Sequence, residues 1–226
     1  MKYEQFYFNQ NKLCVGTDEV GRGCLAGPVV AASACILDPT IYDSKAWIFE
    51  LNDSKKLSQK QRESLLEKIK EDQNIKVHVA WAYPDEIDRW NILHASMVAM
   101  KRALYPFVGL AEVILVDGHL SPFAPIFSKP GYDQLPENLG FKEIVPVVKG
   151  DSTCISIAAA SVVAKVYRDQ WMEELDTFFP KYGFKSNKGY PTTEHQKALQ
   201  EHGYSEIHRK SFGPIKEQVK AEELLL

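Results

Sequence analysis

The chain predicts a mixed α/β fold: a sheet of about five strands flanked by helices, with a smaller helical part at the C-terminal end. Three observations carry this. Short apolar runs alternate with segments of helical period. The first two runs follow one another across a glycine-rich turn, which gives a hairpin rather than the strand–helix–strand opening of a Rossmann half. The 226 residues show no internal repeat or low-complexity tract, so one sizeable domain with a small appended piece fits the length.

Residues 12–18 and 28–37 read as the two strands of that hairpin. Ser58 suits the N-cap of a helix over 59–72, in which Leu65, Leu66 and Ile69 share a face. Residues 75–82 alternate apolar and polar like a half-buried strand. Pro84, favourable at a first helical position, opens one long helix to about residue 104. Residues 113–116 form a short apolar strand ending at Asp117-Gly118, and 144–148 another, ending at Lys149-Gly150-Asp151. The interval 118–142 holds Pro122, Pro125, Pro130 and Pro136 and reads as a surface insertion. A helix rich in small residues, suited to packing closely on a sheet, runs from 155 to about 175. Shorter helices follow over 192–202, ended by Gly203, and over 214–224. The division expected is a main domain over 1–180 and a helical extension over 181–226.

Composition narrows the function. No apolar run approaches the roughly 18–20 residues that span a bilayer, and MKYEQFYFNQ lacks the apolar core of a signal peptide. A cytoplasmic protein without membrane contact is expected. Cys14, Cys24, Cys35 and Cys154 show neither a CxxC pair nor zinc-type spacing with histidine, and read as small buried hydrophobes rather than a disulfide framework. No GxGxxG opens a helix after a strand and no GxxxxGK[ST] occurs, so those nucleotide loops are absent. A net charge of −3 argues against indiscriminate coating of nucleic acid but leaves room for a local basic groove. Past residue 180, Lys181, Lys185, Lys188, Lys197, Arg209, Lys210 and Lys216 interleave with Tyr182, Phe184, Tyr190 and Tyr204. Such a segment is either a solvated face or a surface that neutralises phosphates and stacks on sugars.

The chemistry concentrates at strand ends. Asp18 and Glu19 close the first strand ahead of Gly21-Arg22-Gly23, Asp117 closes another, and Asp151 follows a third. Buried acids are costly without compensation, and an oxygen-rich cluster suits a hard divalent cation. Asp-Gly after a strand is also ordinary turn chemistry, and Asp151 could be a plain helix cap, so each acid alone is a weak signal. Neighbouring strands can bring all of them to one point, which suits two-metal phosphodiester hydrolysis. On an ideal strand Asp18 and Glu19 point to opposite faces, so the strand must end or twist there for both to act together.

These residues, taken in order, resemble bacterial ribonuclease HII, the type 2 ribonuclease H. The matching pieces are Asp18-Glu19-Val20-Gly21-Arg22-Gly23 with Leu25-Ala26-Gly27-Pro28; Asn52-Asp53-Ser54-Lys55-Lys56-Leu57-Ser58; Val116-Asp117-Gly118; Lys149-Gly150-Asp151-Ser152 with 157–169; Asn187-Lys188-Gly189-Tyr190; and His208-Arg209 with Ser211-Phe212. They span nearly the whole chain.

The resemblance implies an RNase H-like fold. It also implies cleavage of RNA in RNA–DNA hybrids, and cleavage 5′ of a single ribonucleotide in duplex DNA, leaving 3′-hydroxyl and 5′-phosphate ends. By it, Asp18, Glu19, Asp117 and Asp151 are the catalytic carboxylates that bind two Mn²⁺ or Mg²⁺ ions. Gly21, Arg22 and Gly23 recognise the 2′-hydroxyl, Tyr190 stacks on the deoxyribose after the junction, and Lys55 contacts the backbone. The 181–226 extension completes the substrate groove. The protein is expected to be a monomer, and Leu224-Leu225-Leu226 could either pack on the domain or dock a partner such as a sliding clamp.

Two departures stand out. The Asp117-to-Asp151 interval is long and contains Asp133, Glu137 and Glu143, though the Lys149-Gly150-Asp151 context favours Asp151. Pro191 stands where glycine is frequent. Arg22 and the short stretch ahead of the first strand favour this family over ribonuclease HIII. A resolvase-like nuclease would share the acids without a reason for the glycine turn and Tyr190, and a non-catalytic binding module would not need an intact acid set. His94 reads as structural or solvent-facing, and His195 and His202, close enough to the basic tail to touch phosphate, read as ordinary helix-surface residues.

Overall fold

The computed structural model describes residues 2–51, 54–127 and 139–224. Its sheet consists of β1 (Cys14–Val20), β2 (Val29–Ile36), β3 (Ile75–Ala82), β4 (Val113–Asp117) and β5 (Glu143–Val147), in the spatial order β3-β2-β1-β4-β5. β1, β2 and β3 are antiparallel neighbours, whereas β4 and β5 run parallel to β1. The helices are α1 (Lys2–Phe8), α2 (Ile41–Ser44), α3 (Gln59–Glu71), α4 (Pro84–Trp90), α5 (Ile92–Leu104), α6 (Ile155–Phe178), α7 (Phe184–Asn187), α8 (Thr193–His202) and α9 (Gly213–Glu223). The mixed, helix-flanked sheet is the architecture the sequence predicts.

Strand alternation splits the core in two. Val15, Val29, Ala31, Cys35, Ile114 and Val116 join the α5 side, while Val30, Ala32, Ala34 and Ile36 join α3 and α6. All of β2 is buried, which its small and β-branched residues allow. The Ser58 hydroxyl accepts from the Gln61 amide, and the Gln61 side chain accepts from the Ser58 amide, so α3 starts in a full capping box.

α6 lies directly on β1. A methyl group added at Gly16 would press on the Ser156–Ile157 backbone and stand 2.6 Å from Ser156 Oγ. Gly16→Ala should therefore cost about 1–3 kcal/mol, read as a lower urea midpoint at unchanged slope. An unchanged midpoint would mean that the α6–β1 approach is looser than described.

The single helix expected from Pro84 is two helices. Asn91 breaks it at φ 67°, and its side chain accepts from the amides of Leu93 at 2.9 Å and His94 at 3.2 Å. An asparagine that can cap competes with its own place inside a helix. α6 runs to Phe178, past the expected end, and β5 sits one residue earlier than expected. α1 and α7 were not anticipated. α1 is held by two inward side chains: Glu4 accepts from Ser156 N at 3.0 Å and Oγ at 2.9 Å, and the Tyr7 hydroxyl donates to Glu143 at 2.6 Å.

The interval 118–142 is not simply a surface insertion. Phe127, Leu139 and Phe141, at the edges of its undescribed middle, are buried in the α5-side core. Pro130, Asp133, Pro136 and Glu137 lie outside the described residues, as do Asn52, Asp53, Leu225 and Leu226. The four cysteines are buried and free, as expected. Among the described residues, no helix is long and apolar enough to cross a membrane.

A further small core joins the loop after β1 and the end of α6 to the C-terminal helices, through Leu25, Ala26, Met172, Tyr182, Phe184, Ala198, Leu199 and Ile215. Tyr182 and Phe184 are thus interior rather than part of a stacking surface, and Arg209 is fully buried. Lys181, Lys185, Lys197, Lys210 and Lys216 remain exposed.

Candidate active site

The sheet opens where the acids stand. The parallel β1–β4 ladder ends at Thr17–Val116, while β1 continues beside β2 to the Val20–Val30 pair. Asp18 and Glu19 therefore occupy a stretch of β1 released from its β4 neighbour. A cleft of about 730 Å³ at this opening is lined by Asp18, Glu19, Asp117 and Asp151, by Gly21, Arg22 and Gly23, and by Lys55 and Tyr190. All nine residues to which the resemblance gives a catalytic or substrate-binding role reach the same cleft, from segments far apart in the chain. The strand does not end until Val20, and its pairing with β2 stays regular through Asp18–Ala32 and Glu19–Ala31, so the two acids line the cleft from a continuous strand whose edge toward β4 is open.

The acids are under electrostatic load. Burial first, then the charges of Glu19 and Asp117, hold the Asp18 carboxyl well above the usual carboxylate range, with the Ser161 hydroxyl and the Glu19 amide opposing. Burial also raises Glu19, with Arg22 pulling it down and Asp117 pushing it up. Arg22 Nη1 sits 3.1 Å from Glu19 Oε1. Asp18 Oδ1 accepts from the Glu19 amide at 2.7 Å, and Asp117 Oδ1 accepts from Gly150 N at 2.7 Å. That last bond ties the end of β4 to the turn carrying Asp151.

Among the described residues, no three His, Cys, Asp or Glu side chains are drawn together tightly enough to grip a metal ion. The chemistry of the set nonetheless fits one: it is all oxygen, and positive charge would relieve Asp18, which is raised by burial, Glu19 and Asp117. Glu143 stands at the far end of β5, bonded to Tyr7, and does not line the cleft.

The glycine loop is bolted from behind by two buried arginines. Arg168 donates to the carbonyls of Pro28 at 3.0 Å, Ala26 at 3.2 Å and Lys188 at 2.8 Å. Arg209 donates to those of Gly27 and Arg22, each at 3.0 Å. Gly21, at φ +93°, lies against the Arg168 guanidinium, where any side chain would overlap it. Gly23 faces open space. The loop is also stitched by backbone: Leu25 N donates to Gly189 O at 2.8 Å, Gly27 N to Ile207 O at 2.9 Å, and Arg209 N to Leu25 O at 2.8 Å. Tyr190, next to Gly189, has Lys165 at 5.7 Å and Arg168 at 5.8 Å from its ring centre.

Sequence reasoning missed several contributors. Arg62 and Lys165 line the cleft and flank Asp169, at 3.7 Å and 2.7 Å. The available signal for Lys165 was its place one helical turn beyond Ser161. Arg62 carried none beyond its helix. His195, read as a helix-surface residue, is fully buried, whereas His202 is exposed and His94 half-buried.

The family model described as Ribonuclease HII matches residues 15–214. A ribonuclease HII of Shewanella sp. (strain ANA-3) is 47% identical over 204 residues, covering 90% of this chain and 89% of that protein. The structure of the PCNA:RNase HII complex from Archaeoglobus fulgidus aligns with a TM-score of 0.65 at 27% identity, covering 89% of this chain and 95% of that one. Bst-RNase HIII in complex with Mn²⁺ aligns at 0.71 and 21% identity, over 94% of this chain and 71% of that one, a likeness of fold.

Proposed function

The chain belongs to the ribonuclease HII family and is an endoribonuclease of the ribonuclease H class acting on RNA–DNA hybrids, and we propose that it also cuts 5′ of single ribonucleotides embedded in duplex DNA. The proposed reaction is two-metal-ion hydrolysis leaving 3′-hydroxyl and 5′-phosphate ends. The observation carrying this reading is the convergence on one cleft of the acid set, the glycine loop and Tyr190.

Asp18, Glu19, Asp117 and Asp151 would hold the cations. Two divalent ions, Mn²⁺ or Mg²⁺, supply when bound the positive charge that activates a water and relieves the departing 3′ oxygen. The backbone of Gly21, Arg22 and Gly23 recognises the 2′-hydroxyl, the mark that separates RNA from DNA. Its carbonyls at Arg22, Ala26, Gly27 and Pro28 are occupied by Arg168 and Arg209, which leaves the open side at Gly23 to the substrate. Arg22, Lys55, Arg62 and Lys165 offer cations to the phosphates around the cut. Tyr190 offers its ring to the deoxyribose beyond the junction.

Residues 181–226 form the smaller unit that completes the groove beside the 1–180 catalytic domain, and their core is shared with Leu25, Ala26 and Met172 of that domain. The protein acts as a cytoplasmic monomer. The archaeal relative in its PCNA complex supports a sliding clamp as partner, with the C-terminal leucines as the docking segment; Leu224 is 87% exposed.

The test is a cleavage assay with Mn²⁺ and with Mg²⁺ on a long hybrid and on a duplex carrying one ribonucleotide. An uncut single-ribonucleotide duplex under both ions would falsify the proposal. Tyr190→Ala should cost roughly 10- to 100-fold on that duplex, the worth of one stacking contact, and less on the long hybrid. Equal losses on both would remove the junction role.

A further inference from the structure

A buried pair of imidazoles stands behind Tyr190, and its protons can be placed from its partners alone. His208 Nδ1 lies 2.9 Å from the Ser205 backbone amide, which can only donate, and 2.8 Å from the Ser205 hydroxyl, which can turn to either role. In a neutral ring the His208 proton is therefore on Nε2. Nε2 lies 3.1 Å from His195 Nε2, which must then accept. The His195 proton is left on Nδ1, which lies 2.9 Å from the Tyr190 carbonyl, an acceptor only. Each link fits one neutral tautomer pair. A proton added to His195 sets two N–H groups face to face across the imidazole contact, and one added to His208 sets Nδ1–H against the Ser205 amide, with only the Ser205 hydroxyl beside it to accept.

The surroundings favour the neutral state. The Tyr182 and Phe184 rings wall the pair, at 4.7 Å and 5.7 Å from His208. Burial first, then the charge of His195, push the His208 imidazole down to about 4, and burial lowers His195. The Tyr182 phenol is turned to the Gly203 carbonyl at 3.2 Å. The nearby charges are Arg209, next in the chain, with Arg168 and Asp88 around it. Among the described residues, neither imidazole pairs with a carboxylate. The pair also joins two segments that hold the glycine loop, since His208 bridges to Ala26 and Gly189 accepts from Leu25.

We propose that His195 and His208 are positioning residues for Tyr190: a neutral imidazole pair that fixes the Tyr190 carbonyl, and with it the ring, against the glycine loop. This rests on the reading of Tyr190 as the junction contact.

Two measurements on the full chain decide it. The ¹⁵N histidine spectrum of the parent protein should show the Nδ1–H form for His195 and the Nε2–H form for His208, both kept down to about pH 5.5. Opposite tautomers, or titration near the ordinary value of about 6.5, would overturn the proposal. The second measurement is the ratio of kcat/KM on the single-ribonucleotide duplex to that on the long hybrid, in which the shared metal chemistry cancels. His208→Phe should lower this ratio roughly tenfold, and His208→Gln, which keeps a donor and an acceptor, should restore most of it. In a Tyr190→Ala background, His208→Phe should change the ratio by less than about twofold, because nothing remains to position. An unchanged ratio in His208→Phe, or a tenfold fall in both backgrounds, overturns the proposal while the Tyr190 reading stands. An unchanged ratio in Tyr190→Ala alone sinks that reading and the proposal together. Should His208→Phe fail to fold, the Gln variant and the parent spectrum still decide.

Discussion

Asp18→Asn should abolish cleavage and leave the protein at least as stable as its parent. The loss would follow from removing a proposed cation ligand. Forfeiting about 4 kcal/mol of transition-state stabilisation corresponds to roughly a 10³-fold slower reaction. The gain in stability follows from the load on the site. Asp18 is 8% exposed, and burial and the charges of Glu19 and Asp117 raise its folded pKa above the unfolded one. A carboxyl raised in this sense binds more protons folded than unfolded. Its charged form at neutral pH therefore subtracts from stability, and the subtraction fades as pH falls through the raised value. Asparagine keeps the size without the charge, so the metal-free melting temperature should hold or rise by a few degrees, while Mn²⁺ should stabilise the parent more than the variant. Substrate binding, followed by anisotropy of a labelled duplex, should persist. A variant that still cuts removes Asp18 from the metal site, and one that melts well below the parent contradicts the electrostatic account.

Arg168→Met should be the most damaging change to stability. Its guanidinium is fully buried and serves the carbonyls of Ala26, Pro28 and Lys188. Methionine fills similar space but donates nothing, leaving three acceptors without their donor. At about 1–3 kcal/mol for each unsatisfied group, the expected cost is about 3–9 kcal/mol. For a chain of this length that is a fall of roughly 6–36 °C in melting temperature. Arg168→Lys should recover only part, because an ammonium is a point donor and cannot span three acceptors as a planar fork does. Discrimination between a ribonucleotide and a deoxyribonucleotide should fall as well, since the loop it braces is the proposed 2′-hydroxyl gauge. Thermal melts and a paired cleavage assay read both effects. A variant melting like the parent would show that the guanidinium does not brace the loop.

How legible the site was depended on whether its chemistry was local. Asp18, Glu19 and Asp117 sit at the ends of apolar runs, and runs of that kind can find one another in a sheet, so the pattern allowed their convergence and the family resemblance singled it out. The supports were not legible. Arg168 and Arg209 look like surface cations in a sequence, and only the fold shows them turned inward onto carbonyls. His195 did carry a local trace, since it shares a helical face with Ala198 and Leu199, but its partner His208 lies beyond a loop that no periodicity predicts. The break at Asn91 was missed because Pro84 and the apolar residues after it suit an unbroken helix; the capping geometry of a single side chain decided otherwise.

The tie between Glu4 and Ser156 spans 152 residues of chain. At a synthesis rate of roughly 5–20 residues per second, α1 leaves the ribosome several seconds to half a minute before the helix that receives it exists. During that interval Tyr7 has neither Cys154 nor Ile157 to cover it. α1, made well before α6, is thus seated only after α6 follows it, and a nascent chain stalled before α6 would display an unfilled apolar face for a chaperone to hold.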